Sequence, residues 1–265
     1  MKGRVLIIAG SDSGGGAGIQ GDIKTVTALG GYAATAITAI TVQNTLGVKG
    51  VHAVPTAIIS GQIHAVLEDI GADVIKTGML HDEGVINAAL EALDAYPDIP
   101  RIFDPVMIAK SGDPLLSPSA ITALKEKLLP AADLITPNVP EAETLLGCKI
   151  KSAADMKSAI MDLAEMGSEA VLLKGGHLPG DVITDYLWDG HALHEWSDLR
   201  FETPHTHGTG CTLASAIATG LAQDLNLLQA VGRARDYVRG AITHAPGFGK
   251  GHGPLNHGWM IHKAK

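Results

Sequence analysis

The stretch Val5-Leu6-Ile7-Ile8-Ala9, running into Gly10-Ser11-Asp12-Ser13-Gly14-Gly15-Gly16-Ala17-Gly18, decides the fold class of this chain. Five apolar residues with no polar alternation must be covered on both faces, which is the condition of an interior parallel strand. The loop leads into a segment at about 19–29 that predicts a helix closed by Gly30-Gly31. Parallel neighbours need crossover helices, so the alternation should repeat along the chain. Strand-like runs at 33–42, 73–76, 101–104, 133–136 and 170–174 do alternate with helix-like segments at 55–69, 82–95, 117–128 and 140–146. Pro55 suits a first helical turn, and Ser117 with Pro118 is a cap followed by a first-turn proline. Ser152 caps a further helix in which Met156, Ile160 and Leu163 share one face. Runs at 182–188 and 191–196 flank Asp189-Gly190, a hairpin-turn dipeptide. Helices at about 209–222 and 226–243 complete the pattern. It predicts an α/β fold with a mostly parallel central sheet covered on both faces. Residues 1–265 read as a single domain, with a small β lid near 32–43. The Gly-, His- and Pro-rich end of the chain is expected to lie over the surface.

Bulk properties narrow the function. The 265 residues carry 46% hydrophobic and 18% charged side chains, the balance of an ordinary globular protein. With 20 basic and 28 acidic residues the net charge is −8, the reverse of the basic excess expected for nucleic-acid binding. No run approaches the ~20 apolar residues of a membrane span, and a cytoplasmic location is expected. Cys148 and Cys211 form no metal-ligand spacing, and the twelve histidines, among them His205, His207, His252, His257 and His262, are expected in structural or surface roles.

Ligands of doubly wound sheets bind outside the carboxyl ends of the strands. The polar residues there are Asp12 after Gly10, Lys76 near Met79, Asp104, Thr136 with Asn138, and Lys174. The run His207-Gly208-Thr209-Gly210-Cys211-Thr212 lies where a loop becomes an apolar helix. Unpaired N–H groups and the positive helix end make this an anion cradle, and the same position is expected to lower the Cys211 pKa. In Thr136-Pro137-Asn138-Val139-Pro140-Glu141, the pair Asn138 and Glu141 reads first as a capping box, and a magnesium-facing site is compatible with it. A carboxylate at Asp104, ending an apolar strand, needs a partner.

Seven strings in order resemble the ribokinase-like fold, and within it the hydroxymethylpyrimidine/phosphomethylpyrimidine kinases of thiamine synthesis. They are AGSDSGGGAGIQGDIKT (9–25), ITAITVQNTLGV (37–48), KTGML (76–80), DPVMIAKSGDPLL (104–116), TPNVPEAETLLG (136–147), LLKGGH (172–177) and THGTGCTLASAIA (206–218). The resemblance implies a three-layer α/β/α kinase that uses ATP and Mg²⁺ on a small pyrimidine alcohol and then on its monophosphate. It implies pyrimidine binding by Gly10, Asp22, Gln43, Met79 and Val106. It implies magnesium near Glu141 and Asp104, and nucleotide contacts from Lys174, Asn138 and Thr209. Gly208, Thr209, Gly210 and Cys211 match the anion hole and the catalytic position. Relatives of this kind are often homodimers, and the exposed face of the 33–42 segment could serve as the interface. Cysteine at this position also marks dual-specificity pyridoxal kinases, so vitamin B6 kinase activity is the alternative. A non-catalytic sensor is the rival of a different class. Gly21, where alanine is common, and the run 201–205 depart from the family pattern.

Overall fold

The computed structural model describes residues 1–107 and 116–261. Residues 108–115 of the fourth string, and His262, lie outside the described residues. The strands are β1 (Arg4–Ser11), β2 (Tyr32–Asn44), β3 (Gly47–Ala53), β4 (Val74–Thr77), β5 (Arg101–Phe103), β6 (Leu134–Ile135), β7 (Ala170–Leu173), β8 (Val182–Trp188) and β9 (Leu193–Leu199). They form one sheet in the order β3-β2-β1-β4-β5-β6-β7-β8-β9. The pairings from β2 through β7 are parallel, whereas β3, β8 and β9 join antiparallel at the two edges.

The helices are α1 (Gly18–Ala28), α2 (Thr56–Asp69), α3 (Glu83–Leu93), α4 (Pro118–Ala123), α5 (Val139–Leu146), α6 (Ala153–Ala164), α7 (Thr209–Leu221) and α8 (Leu227–Thr243). The period-2 alternation of β1 sorts its side chains between two cores. Leu6 and Ile8 pack with Ile59 and Ile63 of α2, Ile86 and Leu93 of α3, and Ile160 and Leu163 of α6. Val5, Ile7 and Ala9 pack on the other face with Ile19 and Val26 of α1, Leu213 and Ile217 of α7, and Val231 of α8. Ile7 and Ile8 have no exposed surface, so truncating either to alanine should cost about 2–5 kcal/mol. The result is three layers, α/β/α.

The chain leaves β1 through α1 on one face to reach β2, then returns through α2 on the other face to β4, on the opposite side of β1. That reversal opens a crevice at the carboxyl ends of β1 and β4. α7 comes back late in the chain and delivers its N-terminus there, touching β1, β4 and β5.

Several elements differ from the sequence reading. The lid is built from the second half of β2 paired with β3 over Ala39–Asn44, and it continues the main sheet. β3 was unreadable because Gly47-Val48-Lys49-Gly50-Val51 mixes glycine, lysine and valine without a strand's regular alternation. The β8–β9 turn spans four residues, because Asp189 accepts hydrogen bonds from the N–H groups of both His191 and Ala192. The helix expected to run to 128 is α4 followed by a wider turn at Leu124–Leu128 and a tighter one at Leu129–Ala131. The C-terminal stretch does not simply lie over the surface: Leu255 and His257 are buried.

Candidate active site

The cradle is the start of α7. Gly208 caps it in the left-handed region, φ +88°, and a Cβ there would run into the Gly16 carbonyl oxygen. Only glycine suits both conditions. The Thr209 hydroxyl donates to Thr206 O at 2.7 Å, and the Thr212 N–H closes the first turn on Gly208 O at 2.9 Å. Among the described residues the N–H groups of Gly210 and Cys211 have no backbone acceptor, and no side chain caps the helix. These donors and the helix dipole make a place for an anion.

Two strand ends face this turn. A Cβ at Gly210 would stand 3.3 Å from Lys174 Nζ and 3.8 Å from Asp104 Oδ2. Asp104, at the end of β5, is 2% exposed; its Oδ1 accepts from the Thr136 hydroxyl at 2.9 Å and from Lys174 Nζ at 3.1 Å. Its Oδ2 is buried and has no hydrogen-bond partner among the described residues. Burial pulls the Lys174 pKa down, but the charges of Asp104 and Glu141 outweigh it and raise the pKa above the ordinary lysine value. The lysine is therefore a fixed cation.

Asn138 and Glu141 form the capping box of α5. Glu141 N–H donates to Asn138 Oδ1 at 2.9 Å, and Asn138 N–H donates to Glu141 Oε2 at 2.7 Å. The capping-box reading of this pair holds, and the buried Glu141 carboxylate feels the charges of Lys174 and Asp104. Burial raises the Glu141 pKa to about 7; Asp104 pushes the same way and Lys174 opposes.

The other half of the crevice is less charged. Gly10 and Met79 meet there, with a Cβ at Gly10 falling 2.8 Å from Met79 Cε. Met79 is buried yet packs with neither core, and the Thr38 hydroxyl holds its carbonyl at 2.7 Å. Half-buried Val106 lines a small cleft with Gly78 and Asp104. Gln43 stands on the lid half of β2, its Oε1 3.2 Å from the Thr41 hydroxyl. Asp22 has no exposed surface; Lys76 Nζ donates to its two oxygens at 3.0 and 2.9 Å, and Ser215 Oγ donates to Oδ1 at 2.7 Å. Burial would lower the Lys76 pKa, but Asp22 leads the charges that raise it, and the ammonium form is kept.

One expectation is reversed. Cys211 sits at the helix N-terminus, yet its pKa is pushed up to about 12. Burial is the main cause, Asp22 and Asp104 add to it, and Lys76 with the Gly18 N–H only partly offsets them. At neutral pH the thiol is protonated.

The sequence reading set Asp12 and Lys76 at the strand ends without a specific partner and passed over Ser215. Asp12 accepts N–H donors from Gly14 at 2.8 Å, Gly16 at 3.1 Å and Ala17 at 2.9 Å, and His207 Nε2 lies 2.8 Å from its Oδ2. His257 Nε2 lies 3.0 Å from the Thr212 hydroxyl, and burial lowers its pKa to about 4. Both histidines are structural, as expected. An aspartate two residues before a run of three glycines was the readable signal for the loop. Nothing local announced its histidine partner, 195 residues away.

A family model described as phosphomethylpyrimidine kinase matches residues 12–256. The chain is 50% identical over 256 residues to the thiamine biosynthesis bifunctional protein ThiED of Geobacter sulfurreducens, covering 97% of this chain and 52% of that protein. It thus spans about half the length of that relative. It is 48% identical to the hydroxymethylpyrimidine/phosphomethylpyrimidine kinase of Bacillus subtilis, over 96% of this chain and 94% of the relative. Among solved structures, a Bacillus subtilis pyridoxal kinase in complex with ADP superposes with a TM-score of 0.90 at 32% identity, covering 99% of this chain and all of that one.

Proposed function

The chain belongs to the phosphomethylpyrimidine kinase family, and from that premise we propose that it phosphorylates 4-amino-5-hydroxymethyl-2-methylpyrimidine with ATP. It then phosphorylates the monophosphate, giving the pyrophosphate used in thiamine synthesis. The observation that carries this reading is the cradle at α7: two N–H donors that, among the described residues, have no backbone acceptor, beside a fixed lysine and a carboxylate with one buried oxygen that the described residues leave unpartnered.

In this reading the Gly210 and Cys211 N–H groups hold the transferring phosphoryl oxygens, where preorganised donors act most strongly. Lys174 adds positive charge on the nucleotide side, whose wall is shaped by Asn138 and Thr209. Gly10, Met79 and Val106 enclose the pyrimidine, and the Gln43 amide reads its polar edge. Asp22 serves the ring through Lys76, because its oxygens are already engaged. A protonated Cys211 cannot start the reaction as a base. A loose phosphoryl-transfer transition state does not require one early, since the acceptor proton leaves late. Cys211 then acts chiefly by placing the acceptor oxygen against the cradle.

Asp104 Oδ2 and the Glu141 carboxylate fit a magnesium ion whose remaining ligands are water and phosphate oxygens. Among the described residues no group of three or more His, Cys, Asp or Glu side chains builds a protein cage, which suits that manner of binding. When bound, the ion would neutralise charge on the nucleotide phosphates. Glu141→Ala should raise the magnesium concentration needed for half-maximal turnover; an unchanged metal titration would remove this assignment.

We further propose that the chain acts as one domain and as a cytoplasmic homodimer. The exposed Ile40 and Val42, which share one face of the lid, offer an apolar surface for a second copy, to be checked by molar mass in solution. Among the described residues no helix is long and apolar enough to cross a membrane.

The deciding experiment is mass spectrometry of products after incubation with MgATP and the pyrimidine alcohol, with pyridoxal in a parallel tube. Monophosphate and pyrophosphate of the pyrimidine are expected. Pyridoxal phosphate alone would favour the B6 kinase reading, which the likeness to the pyridoxal kinase supports.

A further inference from the structure

We propose that Asp12 and His207 form a positioning clamp that holds the anion cradle of α7 at a set distance from the glycine loop after β1. The proposal rests on the phosphoryl-transfer reading above. Asp12 is 3% exposed and gathers three N–H groups of that loop on its carboxylate. The fourth donor, His207 Nε2, belongs to the residue immediately before the cradle. Burial works against the Asp12 charge, yet His207 and the Ala17 and Gly14 N–H groups together keep its pKa below the ordinary value. Hydrogen bonds to an ionised carboxylate are among the stronger ones in proteins. His207 is also held from behind, since its own N–H donates to Gly253 O at 3.1 Å.

The geometry makes this bond consequential. Gly208 abuts the Gly16 carbonyl so closely that no Cβ fits between them. Loop and cradle therefore touch backbone to backbone, and the side-chain bond on one flank sets their separation. Where the Gly210 and Cys211 N–H groups point follows from that separation. Neither Asp12 nor His207 is needed to touch substrate, so the expected signature is a loss in kcat with the pyrimidine KM unchanged.

The test is the pair His207→Ala and His207→Gln, studied by steady-state kinetics, thermal melting and amide exchange of residues 206–213. His207→Ala should lower kcat roughly 10- to 100-fold, the scale of a small misplacement of catalytic groups. The same variant should speed amide exchange in the segment. Glutamine can place its Nε2 close to where the imidazole Nε2 stands, so His207→Gln should recover most of both losses. Wild-type kcat in His207→Ala overturns the clamp. So does a loss that follows only the fraction unfolded, or one equal in both variants and accompanied by a matching rise in KM. Should the wild type fail to phosphorylate the pyrimidine, the functional reading falls. The clamp is then judged by exchange alone, where unchanged rates in His207→Ala overturn it.

Discussion

Two glycine-rich loops flank the crevice, Gly-Gly-Gly-Ala-Gly at 14–18 and Gly-Thr-Gly-Cys at 208–211, both made of small residues. In the first, the N–H groups of Gly14, Gly16 and Ala17 converge on the Asp12 carboxylate. In the second, the N–H groups of Gly210 and Cys211 meet no backbone acceptor among the described residues and stand beside Lys174. The first loop carries its own anion and is a structural element; the second holds its donors open, and we propose that it receives one. Glycine content makes backbone donors accessible, but it does not say what they bind. A carboxylate two residues before the donors decides that here.

The comparison can be broken at either loop, and damage to the receiving loop should show first in turnover. Gly208→Ala forces a side chain onto the Gly16 carbonyl at a left-handed φ. Displacing the donors should cost about 10²–10³ in kcat, measured by product formation per folded molecule; near-normal turnover would mean that the abutment is not needed. Cys211→Ala should come next, at about 10²-fold in kcat, with pyrimidine binding by calorimetry preserved. Full activity would deny the thiol any part in placing the acceptor.

Damage to the filled loop should show first in stability. Asp12→Ala strands three loop donors and His207, so a loss of about 2–4 kcal/mol is expected in denaturant unfolding. A neutral result would mean that solvent replaces the carboxylate without cost.

A pH experiment sharpens the electrostatic side. The folded protein raises the Glu141 pKa from its ordinary 4.5 to about 7. Between these values the folded state holds a proton that the unfolded state has lost, so stability falls as pH rises through that window. Melting followed from pH 5 to 8 should show this decline, on the order of 1–3 kcal/mol, and Glu141→Gln should flatten it. An identical slope in the variant would move the effect to another group. The smallest expected change is at the lid: Thr45→Ala removes the hydroxyl that accepts from Lys250 and Gly251, costing about 0.5–1.5 kcal/mol. A larger effect on turnover than on melting would give the C-terminal stretch a part in lid placement.

By itself the sequence determined the alternation of strand and helix, because burial on both faces leaves a continuous apolar run wherever a parallel strand passes. Val5–Ala9 and the matching runs at 73–76 and 170–174 needed no tertiary knowledge. It determined the capping box at Asn138 and Glu141, since a cap and its partner lie three residues apart and act locally. It also placed the glycine turn at the start of a helix, where backbone donors stand open, from local helix-end physics. Only the tertiary structure decided what depends on distant neighbours. Ser215 and Lys76 enclose Asp22, Asp104 keeps one oxygen unpartnered among the described residues, and His207 reaches Asp12 across 195 residues. The Cys211 thiol shows the division within one residue. Its place at a helix start argued for a lowered pKa, whereas burial beside Asp22 and Asp104 raises it to about 12. A local dipole can be read from the order of residues along the chain. Desolvation and through-space charge depend on which atoms pack around the sulfur, and folding alone brings those atoms together.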